Sequence, residues 1–126
     1  MFSIIIATHD SERALVPTLA ALVPGATAGI IREVIVADAG SRDQTEDIAD
    51  IAGCRFLASS DPPGMRLEVA ARSARGDWLM FLLPGVVPGI TWIDETMAFV
   101  EKTGADRRAA VFARISPAGA FRRACW

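Results

Sequence analysis

A few polar residues of this 126-residue chain stand where chemistry could be done. Thr8, His9 and Asp10 follow the apolar run in SIIIATHD, Asp38 closes the run in EVIVADAGSRDQT, and Arg66 lies in PPGMRLEV. A carboxylate at the end of a buried run costs desolvation unless it is paired. Asp38, followed by Ala-Gly-Ser, can accept from a nucleoside hydroxyl or from backbone amides, and a purely loop-stabilising role is the alternative. His9 is the only histidine. It can stack on a ring or act as a base, but no partner carboxylate or cysteine is visible, so a plain loop residue is the competing reading. Asp10 and Asp43 read as helix caps rather than catalytic groups. Arg66, early in a helix, can reach an anionic ligand or stay solvated. Cys54 and Cys125 have no metal-ligand spacing. G-x-G-x-x-G, G-x-x-x-x-G-K-[ST] and G-x-S-x-G are all absent, which removes the main support for dinucleotide, P-loop and simple hydrolase readings.

The elements that must position these residues follow from pattern. Phe2–Ala7 is a short β-branched run, a buried strand. Asp10 or Ser11 can cap a helix over Glu12–Val23, with Leu15, Leu19, Leu22 and Val23 at helical spacing and Pro24-Gly25 as its stop. Glu33–Asp38 is a second buried strand. Asp43 can cap a second helix, with Glu46 at the capping-box position and Ile48 and Ile51 facing inward. Cys54–Leu57 is a short third strand, Ser59–Gly64 a Pro-rich loop, and Met65–Arg75 a third helix ended by Gly76. Trp78–Leu83 is a fourth strand. Ile90–Thr103 is a fourth helix, with Ile93, Met97, Phe99 and Val100 as apolar members, and Ala109–Ile115 is a fifth strand. Continuous apolar strands alternating with amphipathic helices imply an α/β fold, a Rossmann-like mainly parallel sheet with helices on both faces. In such sheets ligands bind beyond the carboxyl ends of the strands, which points to Thr8–Asp10, Asp38–Asp43, Ser59–Asp61 and Leu83–Val86.

Composition narrows the class. The chain is 52% hydrophobic and 22% charged, enough for a core in one domain, and a net charge of −2 argues against nucleic acid. Every basic residue but Lys102 is an arginine, and these are scattered. Two cysteines make no disulfide framework, so a reduced, cytoplasmic setting is expected. The N-terminal apolar run is too short for a signal peptide. Pro84, Gly85, Pro88 and Gly89 interrupt the stretch Trp78–Ile90, so no transmembrane segment is expected.

Three segments in order, SIIIATHD, EVIVADAGSRDQT and ARGDWLMFLLPGV, resemble the motifs of glycosyltransferase family 2 on a GT-A fold, over about residues 2–115. The resemblance implies a GT-A-like nucleotide-sugar-binding domain over 1–115 with a C-terminal tail over 116–126. It also implies transfer of a sugar from a nucleotide-diphosphate sugar to an acceptor. The nucleotide-binding residues it implies are Thr8 and His9 beside the nucleobase and Asp38 after the second strand; Gly40 and Arg66 are added to these from their own positions, and no catalytic residue is assigned. Three departures accompany it. Ala39 replaces the second carboxylate of the motif after the second strand. The metal-binding D-x-D falls on Leu83-Pro84-Gly85, so no metal site and no cofactor are expected, and metal-dependent catalysis is expected to be degenerate; Asp61 and Asp94 are the carboxylates that could move in as replacements. Family enzymes also continue well past the fifth strand. A truncated face of that kind would be covered by a second copy or a partner protein, which makes a non-catalytic nucleotide-binding or dimerising module the alternative.

Overall fold

A computed structural model describes residues 1–103 of the chain. The expected strand Ala109–Ile115 and the tail lie outside the described residues. The chain divides into two compact units, residues 1–89 and 90–126.

The first unit holds β1 (Phe2–Thr8), α1 (Glu12–Thr27), β2 (Ile31–Asp38), α2 (Thr45–Ile51), β3 (Arg55–Ala58), α3 (Pro63–Ser73) and β4 (Trp78–Leu82). The strands form one parallel sheet in the order β3-β2-β1-β4. Strand β1 is therefore central, and Ile4, Ile5 and Ile6 have no exposed surface at all. That explains an uninterrupted apolar run in place of alternation, since both faces are covered. On one face Ile5, Ile35 and Ala37 pack with Ala70, and Leu57, Leu67, Ala71 and Ala74 close around them. Ile4, Ile6 and Val36, one step along the strands, are buried on the opposite face. There α1 and α2 contact each other and reach β2 and β3.

Helix α1 runs past its expected stop. Pro24 and Gly25 lie inside it, and it ends at Thr27 with Ala28 as its cap. Gly29, at φ +76°, then turns the chain. Its amide donates to Ala26 O and the Ile30 amide to Gly25 O, both at 3.1 Å, a Schellman closure that satisfies the last carbonyls. A proline near a helix end forfeits one hydrogen bond and need not terminate it. Helix α2 closes the same way at Gly53, with Cys54 N to Ala49 O at 2.8 Å. Its inward residues are Thr45 and Ala49; Ile51 is 86% exposed, against expectation, and Val23 of α1 is exposed too.

Helix α3 lies two residues earlier than expected, beginning with Pro63 at its first turn and leaving helical geometry at Ala74. It stops there because the next amides are claimed at the amino ends of the strands. Arg75 N–H donates to a Glu33 carboxylate oxygen, and Gly76 N–H donates to Ser3 Oγ at 2.8 Å. Ser3 Oγ in turn donates to Glu33 Oε2 at 2.8 Å, while Arg55 Nη1 reaches Glu33 Oε1 at 2.7 Å and Ser73 O at 3.2 Å. One half-buried carboxylate thus ties β1, β2, β3 and the α3–β4 turn. Burial opposes ionisation of Glu33, but the Arg75 amide, the Arg55 guanidinium and the Ser3 hydroxyl outweigh it and hold the pKa at about 2.

Of the second unit, α4 (Trp92–Thr103) is described. Its buried residues are Trp92, Thr96 and Thr103, with Ile93, Phe99 and Val100 half-buried and Met97 on the exposed side.

Candidate functional site

At the carboxyl end of the sheet, Thr8 of β1 and Asp38 of β2 are register partners, so their side chains share a face. Both are buried, and Thr8 Oγ1 donates to Asp38 Oδ1 at 2.6 Å. Three more donors converge on the same carboxylate. The Gly40 and Ser41 amides reach Oδ2 at 2.8 and 2.6 Å, and the Ser41 hydroxyl donates to Oδ1. A carboxylate offers about four acceptor positions, and here four donors use them. Burial pushes the Asp38 pKa up, but Ser41, Thr8 and Gly40 together outweigh it and hold the carboxyl below its usual range. Gly40, at φ +94°, is the residue that lets the chain fold back over Asp38.

The loops after β1 and β2 clasp each other. Asp10 N–H donates to Ser41 Oγ at 2.8 Å, and Arg42 N–H donates to Asp10 Oδ1 at 2.8 Å. Glu12 N–H reaches Asp43 Oδ2 at 3.2 Å, and Gln44 N–H reaches Glu12 Oε2 at 3.1 Å. Thr45 Oγ1 accepts from Ser11 N–H at 3.0 Å and donates to Asp43 Oδ1, which also takes the Thr45 amide at 3.0 Å. Asp43 thus serves the first residue of α1 and the first residue of α2 together. The Thr45 hydroxyl is the main reason its pKa is lowered. The expected caps change accordingly. Neither Asp10 nor Ser11 caps α1 through its side chain, and Glu46 makes no capping-box bond, because Asp43 and Glu12 already hold these helix starts from across the site. Asp10 adopts φ +45°, a conformation that Asp tolerates better than most residues and that its two cross-loop bonds stabilise.

His9 stands on this rim with its side chain 66% exposed, Nε2 3.7 Å from Asp10 Oδ2. The arrangement presents an open ring above a rigid, fully hydrogen-bonded floor. Sequence does not single out Thr45 and places Glu12 only at the start of a helix, whereas Ser41 falls within the Asp38–Asp43 segment expected at the carboxyl edge. The signal for the hydroxyls was there, as Asp-to-Ser at i+3 and Asp-to-Thr at i+2 are local side-chain-to-backbone spacings.

The sequence matches the model of glycosyl transferase family 2 over residues 3–123. The chain belongs to that family. No curated protein matches it. Among solved structures, S. aureus TarS 1–349 in complex with UDP is similar, at 24% identity and TM-score 0.70, covering 92% of this chain and 38% of that one. Glucosyl-3-phosphoglycerate synthase from Mycobacterium tuberculosis, in complex with Mn²⁺, UDP and glucosyl-3-phosphoglycerate, is similar at 20% identity and TM-score 0.67, covering 87% and 42%. These likenesses show a GT-A fold, and this chain spans about two fifths of their length.

In this family 2 chain the turn after β4 has its own construction. Gly85 has φ +90°, and its amide is shared between Ala14 O and Thr18 Oγ1 of α1, both at 3.0 Å. Thr18 Oγ1 donates onward to Val86 O at 2.8 Å. Leu83 is 65% exposed. The residues at the metal-binding position do not fit a divalent cation, since Leu83-Pro84-Gly85 brings no side-chain oxygen. Among the described residues no three His, Cys, Asp or Glu side chains form a metal-holding group. Asp61 stays on the loop after β3 and Asp94 on exposed surface of α4.

Arg66 lies apart from the Asp38 cluster, beyond β3. An open groove of about 370 Å³ there is lined by Phe56, Leu57, Ser59, Asp61, Arg66 and Val69. Arg66 Nη1 donates to Asp61 O at 3.0 Å, and its buried Nε has no hydrogen-bond partner among the described residues. The groove adjoins the site through β2, since Ser59 N–H donates to Asp38 O at 2.9 Å.

Proposed function

We propose that this chain binds the nucleoside diphosphate of a sugar donor at the carboxyl ends of β1, β2 and β3, as the donor half of a family 2 glycosyltransferase. The observation that carries the proposal is the clasp of the β1 and β2 loops around Asp38, which builds a rigid rim where open α/β sheets take ligands. Family membership and UDP in similar structures support the same reading. In it, Thr8, Asp38 and Gly40 shape the floor, the exposed His9 ring covers the nucleobase, and Arg66 with its free Nε meets a polar edge of the ligand. Sugar transfer then requires an acceptor side from further chain or from a partner. Among the described residues no helix is long and apolar enough to cross a membrane. Separately, we propose a cytoplasmic setting, one in which Cys54 stays a free thiol.

Calorimetry with UDP and GDP tests the binding, followed by a panel of nucleotide sugars scored for released nucleotide. Binding of either nucleotide, weakened by His9→Ala, is the expected outcome; silence with both overturns the proposal. A second reading has its own observation. Leu79 and Phe81 of β4 are 40% and 51% exposed on the face where α3 covers Ile5, an apolar flank suited to a second copy or another protein. Light scattering of the full chain at micromolar concentration decides it, and a monomer counts against self-association.

A further inference from the structure

We infer that this chain engages a nucleoside diphosphate without help from a divalent cation held at the turn after β4. The inference rests on the nucleotide-binding reading above and concerns how the phosphates are received. Loss of carboxylates by substitution alone would leave a turn into which they could be put back. The geometry here goes further. Gly85 occupies the second carboxylate position of the family motif at φ +90°, a backbone conformation in which an Asp side chain would be strained. Its amide is locked to Ala14 O and Thr18 Oγ1, and the Val86 carbonyl that could offer an oxygen to a cation already accepts the Thr18 hydroxyl. The turn is therefore bolted to α1 in a shape that has no use for a metal ligand. Carboxylates on the loops after β1 and β2 are wholly or partly engaged as well. Four donors saturate Asp38, and backbone amides occupy oxygens of Asp10, Glu12 and Asp43. In residues 104–126 the only carboxylate side chain is Asp106. Divalent cations of this class ask for six or more oxygens in set geometry, so a cation arriving with the nucleotide would keep water and phosphate as its ligands and gain little from the protein. The similar Mycobacterium tuberculosis synthase, by contrast, is seen with Mn²⁺ and UDP together.

The test is calorimetric titration of the full chain with UDP in EDTA, repeated with saturating Mn²⁺ at matched ionic strength. The expected result is binding in both buffers with dissociation constants within about threefold of each other. Tightening by more than about threefold on adding Mn²⁺ overturns the inference and leaves the nucleotide reading intact. Absence of UDP and GDP binding in both buffers overturns the two together, so the failures are told apart. Mn²⁺ alone, followed by electron paramagnetic resonance, should show no ion immobilised by the free chain; an immobilised signal also overturns the inference.

Discussion

A carboxylate buried at a strand end must find its donors within reach, and Asp38 finds all four within three residues or one strand away. Asp38→Asn keeps the shape and turns an accepting oxygen into an NH₂ aimed at donors. It should lower stability by about 3 kcal/mol, read from urea unfolding with an unchanged m-value. Gly85→Ala tests a different cause. The nearest heavy atom to an added Cβ is Ala14 Cβ at 3.7 Å, so space is adequate and the φ of +90° alone sets the cost. A loss of about 1–2 kcal/mol in the same measurement is expected, with UDP affinity unchanged if the turn holds no ligand. At this scale Thr8, Asp38 and the apolar Leu83-Pro84-Gly85 were legible from position. Thr18 was not, because its partner Val86 lies 68 residues away and no local spacing announces it.

Elements end here where something else takes their amides. Helix α3 stops at Ser73 because Glu33 and Ser3 claim Arg75 and Gly76, a contact across 42 and 73 residues that helix propensity cannot reveal. Gly76 is also packed too closely for any side chain, since a Cβ would fall 2.6 Å from Ser3 N and 2.9 Å from Met1 O, both backbone atoms. The ARG preceding β4 is thus a junction as much as a boundary. Its electrostatics give a pH prediction. Glu33 has a folded pKa of about 2 against an ordinary 4.5. A depressed carboxylate stabilises the fold fully above its unfolded pKa, and that contribution fades as pH falls from about 4.5 towards 2. The full shift corresponds to about 3 kcal/mol. Unfolding free energies measured from pH 6 down to pH 2 should show this loss, and Glu33→Gln should flatten the profile while lowering stability at pH 6. A variant with the wild-type slope would contradict the assignment.

Over the whole first unit, stability should be graded by place in the sheet. Strand β1 is paired on both sides and buried at every residue but Ala7, whereas β3 is a four-residue edge strand of the described sheet. Amide hydrogen exchange should be slowest in Ile4–Ile6 and Ile35–Ala37 and markedly faster in Arg55–Ala58; equal protection would argue against this order. The parallel α/β class, the four strands and four helices of residues 1–103, and the rim on which Thr8, His9 and Asp38 meet were all determined by the sequence itself. Apolar runs and helical periods are local, and a parallel sheet puts loop residues at its carboxyl edge whatever their identity. What only the tertiary structure decided was how those residues are used. Asp38 is spent on its own turn, Asp43 and Glu12 cap each other's helices, Arg66 lies in a neighbouring groove, and the apolar turn after β4 is fastened to α1. The Thr8 bond to Asp38, the Asp43–Glu12 exchange and the Thr18 bond to Val86 each need a partner 30 to 68 residues away that topology brings in, and such long-range hydrogen bonds, unlike burial patterns, carry no period along the chain.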